Sequence, residues 1–300
     1  MTSLFCRHNR MTAKCPICSK ELEAELRAKA PPRPAGIRRA PAAPRGARSR
    51  RAATPRSGGV VTRRLARAQD DGYRNQLVPG LRATADAERL GAALLEAEAR
   101  LAPPGPYEAV ATEPDREQAT WLAFLLTLAG PELEEAVTAA APRWADGVPA
   151  DLPETQRRTA EAYRQWARRA GSQVAGFTGE ADWSPTRRFA RVLERLAIPG
   201  FTRAQRFDLL AVLGAAGLYE LEADTLALGA DGDATTQGAK RALLSGDRML
   251  LERRARDLAR ACELPLAALD RGLAWWDDPA TEPEPPEEWP AAMRSALALS

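Results

Sequence analysis

The sequence predicts an all-α fold, and three observations carry that expectation. Beyond residue 70, apolar side chains recur at three- and four-residue spacing almost throughout. No alternating run there is long enough to read as a strand. The breaks between periodic segments carry helix punctuation: Gly130-Pro131, Ser184-Pro185 and Pro199-Gly200. The expected organisation is a multi-helix globular domain over residues 71–278. A ligand-rich element over 1–20 and a basic linker over 21–70 precede it, and an acidic, Pro-rich linker with a terminal helix over 279–300 follows it.

The N-terminal element concentrates soft ligands. Cys6, His8, Cys15 and Cys18 form a C-x-H-x6-C-x2-C pattern, and His8 is the chain's single histidine. Thiolate and imidazole are what tetrahedral zinc prefers, and Cys-Pro-Ile-Cys is a tight turn that lets two sulfurs share one ion. The expectation is a small zinc knuckle with a structural Zn2+; incidental thiols at a frayed terminus are the alternative. Three clustered cysteines and the isolated Cys262 make no disulfide framework, and a ligand cluster stands where a secretory signal would be apolar. Both point to a reducing cytoplasm.

The linker is low-complexity Pro/Ala/Arg/Gly sequence with little to bury, so it cannot offset its own ordering entropy and is expected to be disordered. Residues 26–69 hold thirteen Lys or Arg and no acid, whereas residues 70–300 hold 26 basic and 37 acidic side chains. The net +3 of the whole chain therefore hides a cationic tether on an acidic body. Such a tether draws in a polyanion by releasing counterions, which makes nucleic acid the expected partner, possible nucleoid association included. A neutral-purpose linker in an Arg-biased proteome is the alternative.

The helices follow in order. "TADAERLGAALLEAEARL" opens on Thr84, a residue able to cap. "DREQATWLAFLLTLAG" closes on Gly130, and Pro131 opens "PELEEAVTAAA". Its apolar run "WLAFLLTLAG" is about half of what a bilayer needs, so no membrane partner is expected. "LPETQRRTAEAYRQWARRAG" comes next, and "GSQVAGFTGEADW" reads as a loop. "SPTRRFARVLERL", "TRAQRFDLLAVLGAAG", "DRMLLERRARDLARAC" and "PLAALDRGLAWW" complete about eight or nine helices. The tail "DDPATEPEPPEEWP" reads as a solvated linker. Trp275, Trp276 and Trp289 read as packing residues rather than as a stacking platform for bases.

The helical body has no histidine, which removes Ser-His-Asp, Cys-His and His-metal mechanisms from it. No Gly-rich phosphate loop follows a strand, which removes nucleotide-binding P-loops and dinucleotide folds. Cys262 lies in an apolar stripe and reads as packing. Carboxylates, guanidinium groups and Lys240, the body's only lysine, remain. They concentrate in "RRFARVLERLAIPGFTRAQRFDLLAVLG", a basic island in which two amphipathic helices flank Ile198-Pro199-Gly200-Phe201. That pattern resembles the helix-hairpin-helix DNA-binding motif, in which hairpin N–H groups and a helix N-terminus grip a phosphate. Gly200 fits the motif, and Thr202 stands where it has a second glycine; Thr202 can cap the helix it begins. An ordinary helical hairpin is the alternative.

In the helix-hairpin-helix DNA glycosylase superfamily an essential Asp opens another helix about two dozen residues after the hairpin. By that resemblance Asp224 would stabilise positive charge on the sugar and orient a nucleophile. Arg203 and Gln205 stand where bifunctional members carry a Lys, so Schiff-base lyase chemistry is not expected. Arg206-Phe-Asp208, Leu218-Tyr219, Asp224-Thr225, Ala239-Lys240-Arg241 and Glu252-Arg253-Arg254 also resemble the alpha-glutamyl/putrescinyl thymine pyrophosphorylase family. This second resemblance implies a helical enzyme that exchanges a pyrophosphate on a modified base in DNA for an amine. Together the two resemblances imply catalytic Asp224 and Lys240, with DNA or phosphate contacts from Gly200, Thr202, Arg203, Arg206, Arg241 and Arg253; a surface lysine at a helix start is the alternative for Lys240. The expected function is a DNA-binding, base-directed enzyme, a transferase or a monofunctional glycosylase, acting on an extruded base. The alternative is a non-catalytic, zinc-containing nucleic-acid adaptor that recruits a protein partner through its helical body.

Overall fold

A computed structural model describes residues 68–102, 105–130, 133–229 and 233–299. The expected zinc ligands Cys6, His8, Cys15 and Cys18 and nearly all of the basic linker lie outside the described residues. The described residues form helices α1 (Thr84–Leu101), α2 (Glu108–Thr112), α3 (Arg116–Ala129), α4 (Glu134–Ala140), α5 (Glu154–Arg169) and α6 (Gln173–Thr178). After them come α7 (Pro185–Arg195), α8 (Arg203–Ala215), α9 (Ala234–Leu243), α10 (Arg248–Ala261), α11 (Leu266–Asp277) and α12 (Ala291–Leu297). Among the described residues there is no strand, and no helix is long and apolar enough to cross a membrane.

Helix α3 is central. Every residue from Ala119 to Leu128 is buried, as a helix apolar on all sides must be. Asp115 caps it by accepting from the amides of Glu117 and Gln118. Gly130 ends it in a left-handed conformation that returns its N–H to Leu126 O. Trp121 and Phe124 join Tyr163 of α5 in an aromatic stack, with the Phe124 and Tyr163 rings 3.8 Å apart. Phe201, from the loop between α7 and α8, closes against Phe124 at 5.2 Å.

On the other side α11 packs against both α1 and α9. Gly238 makes the α9 contact possible: a Cβ there would stand 2.1 Å from Leu273 O, so any larger residue would push the helices apart. Trp276 is buried and donates its indole N–H to Asp86 O, and Trp289 is buried too, which bears out the packing assignment for both. Cys262 is buried, and burial pushes its thiol up to about 11.

Several local expectations need correction. Thr84 does not cap α1; it is the first helical residue, and its N–H goes to Asp71 Oδ2, which caps from thirteen residues upstream. The segment read as a loop contains α6, capped by Ser172, whose hydroxyl accepts from Ala175 N. The acidic tail is largely exposed, as expected of a solvated linker, but its start is held by Arg89, which donates to the carbonyls of Trp276, Asp278 and Thr281.

Candidate functional site

The hairpin between α7 and α8 takes its shape from four residues. Phe201 N–H closes a turn onto Ile198 O at 3.2 Å. Gly200 sits at φ +79°, the conformation required at the third position of a type II turn with Pro199 second. Its exposed backbone lies close against α5, where an added Cβ would stand 2.1 Å from Thr159 Oγ1. Thr202 caps α8 as expected and does so reciprocally with Gln205 in a capping box. That box commits the Thr202 N–H to Gln205 Oε1 at 3.0 Å. The first-turn amides of Arg203 and Ala204 are then the open donors at this helix end.

Beside the hairpin lies a cleft of about 310 Å³ between α7, α8, the irregular segment 221–229 and the start of α10. It gathers three of the sequence-predicted residues, Arg203, Arg206 and Asp224, and adds Arg248 and Thr225. Phe189, Leu193 and Ala227 give it apolar surface. Asp224 is exposed at a bend in this non-helical segment rather than at the start of a helix, where it was expected. The Asp that does open a helix is Asp233, which caps α9 by accepting from Thr236 N. Glu252 of α10 shapes this wall of the cleft. Its buried carboxylate accepts from Leu226 N and Leu228 N, both at 2.8 Å.

The two arginines from α8 differ. Arg206 donates to Leu193 O at 2.8 Å and to Thr202 O, and burial, then Arg203, lower its pKa. Arg203 faces inward. It meets Asp270 with two N–H groups at 2.8 and 3.1 Å, Asp233 at 3.0 Å, Leu226 O at 2.9 Å and Thr235 Oγ1 at 2.8 Å. Burial opposes its charge, but Asp270 and Asp233 outweigh burial and raise its pKa overall. This guanidinium holds the fold together, and the expected phosphate contact would have to come from its backbone N–H.

The remaining predicted residues lie elsewhere. Lys240 is half-buried in the last turn of α9 and does not line the cleft, so the expected catalytic pair is not assembled there. Arg241 is ion-paired with Asp277 of α11. Arg253 is exposed on α10, 4.0 Å from Asp257. With Arg256 and Arg260 it forms an exposed arginine stripe, and Met249, 81% exposed, stands at its start.

Two buried charges were not among the predicted site residues. Asp270 and Arg271 are buried neighbours in α11. Burial pushes the Asp270 carboxyl up to about 6 despite Arg203, and Asp208 and Asp233 add to the rise. Arg271 is also buried, but Asp208 at 3.0 Å and Tyr107 overcome that burial and raise its pKa. The signal was there: "LAALDRGLAWW" sets two adjacent charges inside an apolar helix, which is costly unless each has a partner.

Among the described residues no group of three or more acidic, cysteine or histidine side chains is placed to hold a metal ion. No family model matches this chain, and neither does any curated protein or solved structure.

Proposed function

We propose that this chain binds DNA and acts on a base extruded into the cleft beside the α7–α8 hairpin. The observation that carries this reading is the convergence on that cleft of Arg206, Asp224 and Arg248, from three separate elements, over apolar surface. Guanidinium groups suit flanking phosphates, apolar walls suit the faces of a base, and a carboxylate suits charge developing at a sugar or an exocyclic carbon. Arg248, which lines the cleft, is the first residue of α10, the helix that also carries the arginine stripe. Met249 beside it is the kind of exposed apolar side chain that wedges between base pairs.

In this proposal Asp224 works without Lys240. The cationic tether raises the local concentration of DNA, and Cys6, His8, Cys15 and Cys18 hold one structural zinc ion in the cytoplasm. Metal analysis of the purified full chain is expected to give one zinc per chain, and Cys15→Ser is expected to abolish it.

Nucleoside mass spectrometry tests the chemistry. DNA from cells carrying the wild-type gene is expected to contain a nucleoside whose level changes when the gene carries Asp224→Asn. Identical nucleoside profiles, with DNA binding retained in both, would leave the adaptor reading in its place. One observation favours that second reading: Asp224 is exposed and has no hydrogen-bond partner among the described residues to orient it.

A further inference from the structure

A second cavity, of about 180 Å³, lies across α8 from the cleft. Ala204 and Asp208 line it, whereas Arg206 of the same helix lines the cleft. Arg271, only 6% exposed, lines it, and its Nη1 makes no hydrogen bond. A buried guanidinium nitrogen left open is expensive, because its hydration is lost and nothing replaces it. The other arm of the same guanidinium is spent, Nη2 lying 3.0 Å from Asp208 Oδ1 and 3.2 Å from the Tyr107 hydroxyl. That phenol accepts from Arg271, so its own proton is a second donor, and no acceptor for it exists among the described residues. Trp275 supplies an aromatic wall, with the Arg271 guanidinium carbon 5.6 Å from its ring centre.

We infer that this cavity binds a small monocarboxylate, its oxygens accepting from Arg271 Nη1 and the Tyr107 hydroxyl and its apolar part lying against Trp275. Each acid lining the cavity already has an arginine: Asp208 has Arg271, Asp270 has Arg203, and Glu134 has Arg100. The unspent capacity is therefore that of donors, which calls for an oxyanion. Three carboxylates and two arginines line the space, so a single negative charge meets less repulsion there than a dianion does. The space matches a ligand of a few heavy atoms. This site is independent of whatever the cleft binds.

The test is calorimetric titration of the full chain with propionate, benzoate and inorganic phosphate at constant ionic strength. NMR of the indole N–H groups runs in parallel, with the Trp275 signal identified by its loss in Trp275→Phe. Propionate or benzoate is expected to bind and to shift the Trp275 signal, and phosphate is expected not to bind here. Tyr107→Phe keeps the ring and removes one donor, so it is expected to weaken carboxylate binding roughly tenfold, the value of one hydrogen bond to a charged group. Carboxylate binding that leaves Trp275 unmoved, equal affinity in Tyr107→Phe, tighter binding of phosphate at Trp275, or no binding at all would each overturn the inference.

Discussion

Gly200 and Asp270 show how single residues set the terms here. Gly200 combines a left-handed backbone with contact against Thr159, so Gly200→Ala meets strain and a clash together. A loss of about 2–3 kcal/mol is expected in urea unfolding, with the slope unchanged. Asp270 gives a pH signature. Its folded value of about 6 lies above the ordinary 3.8, so between those values the folded state holds a proton that the unfolded chain has released. Its contribution to stability therefore falls as pH rises from about 4 to 6, by roughly 2–3 kcal/mol. Asp270→Asn has no such titration, and its stability relative to the wild type is expected to improve from pH 4 to pH 7. A constant difference would remove Asp270 as the cause. Thr202 and Gly200 were legible from sequence because their roles are local, a cap and a turn. The burial of Asp270 depends on α8, α9 and α11 coming together, and only its odd setting in an apolar helix hinted at it.

At the scale of elements, periodicity found the long helices except α9, because each buries a face against its neighbours and burial imposes the spacing on the sequence. It missed α6, six residues long, because one and a half turns leave little pattern. It also placed a helix start at Asp224, where the chain bends without entering a helix. That segment gains its order from Glu252, 24 residues beyond Leu228, so no local signal could reveal it. Glu252→Gln leaves one acceptor for two amides and turns an N–H toward the other. Faster hydrogen exchange at Leu226 and Leu228 is expected, with a stability loss of about 1–3 kcal/mol. Unchanged exchange at both amides would mean that the segment is held by other contacts.

Taken as a whole molecule, residues 70–300 are acidic in sum, and exposed arginines gather along α10 beside the cleft as well as on α5 and α7. The sequence showed a basic island around the hairpin. The folded chain turns Arg203 inward and leaves Arg206, Arg248 and the stripe Arg253, Arg256 and Arg260 as the cationic surface beside the cleft. If DNA lies across this face, Arg248→Glu with Arg256→Glu should weaken duplex binding at least tenfold and reduce its salt dependence by about two counterions, sequence-independently. The same loss with any other pair of exposed arginines would show that only the overall charge matters. The most direct test of the proposed function is fluorescence anisotropy of the full chain with an intact duplex and with one carrying an abasic-site analogue, at matched salt. Tighter binding to the abasic duplex is expected, with the preference lost in Arg206→Ala with Arg248→Ala. Equal affinity for both duplexes, unaffected by those substitutions, would contradict recognition of an extruded nucleotide in the cleft.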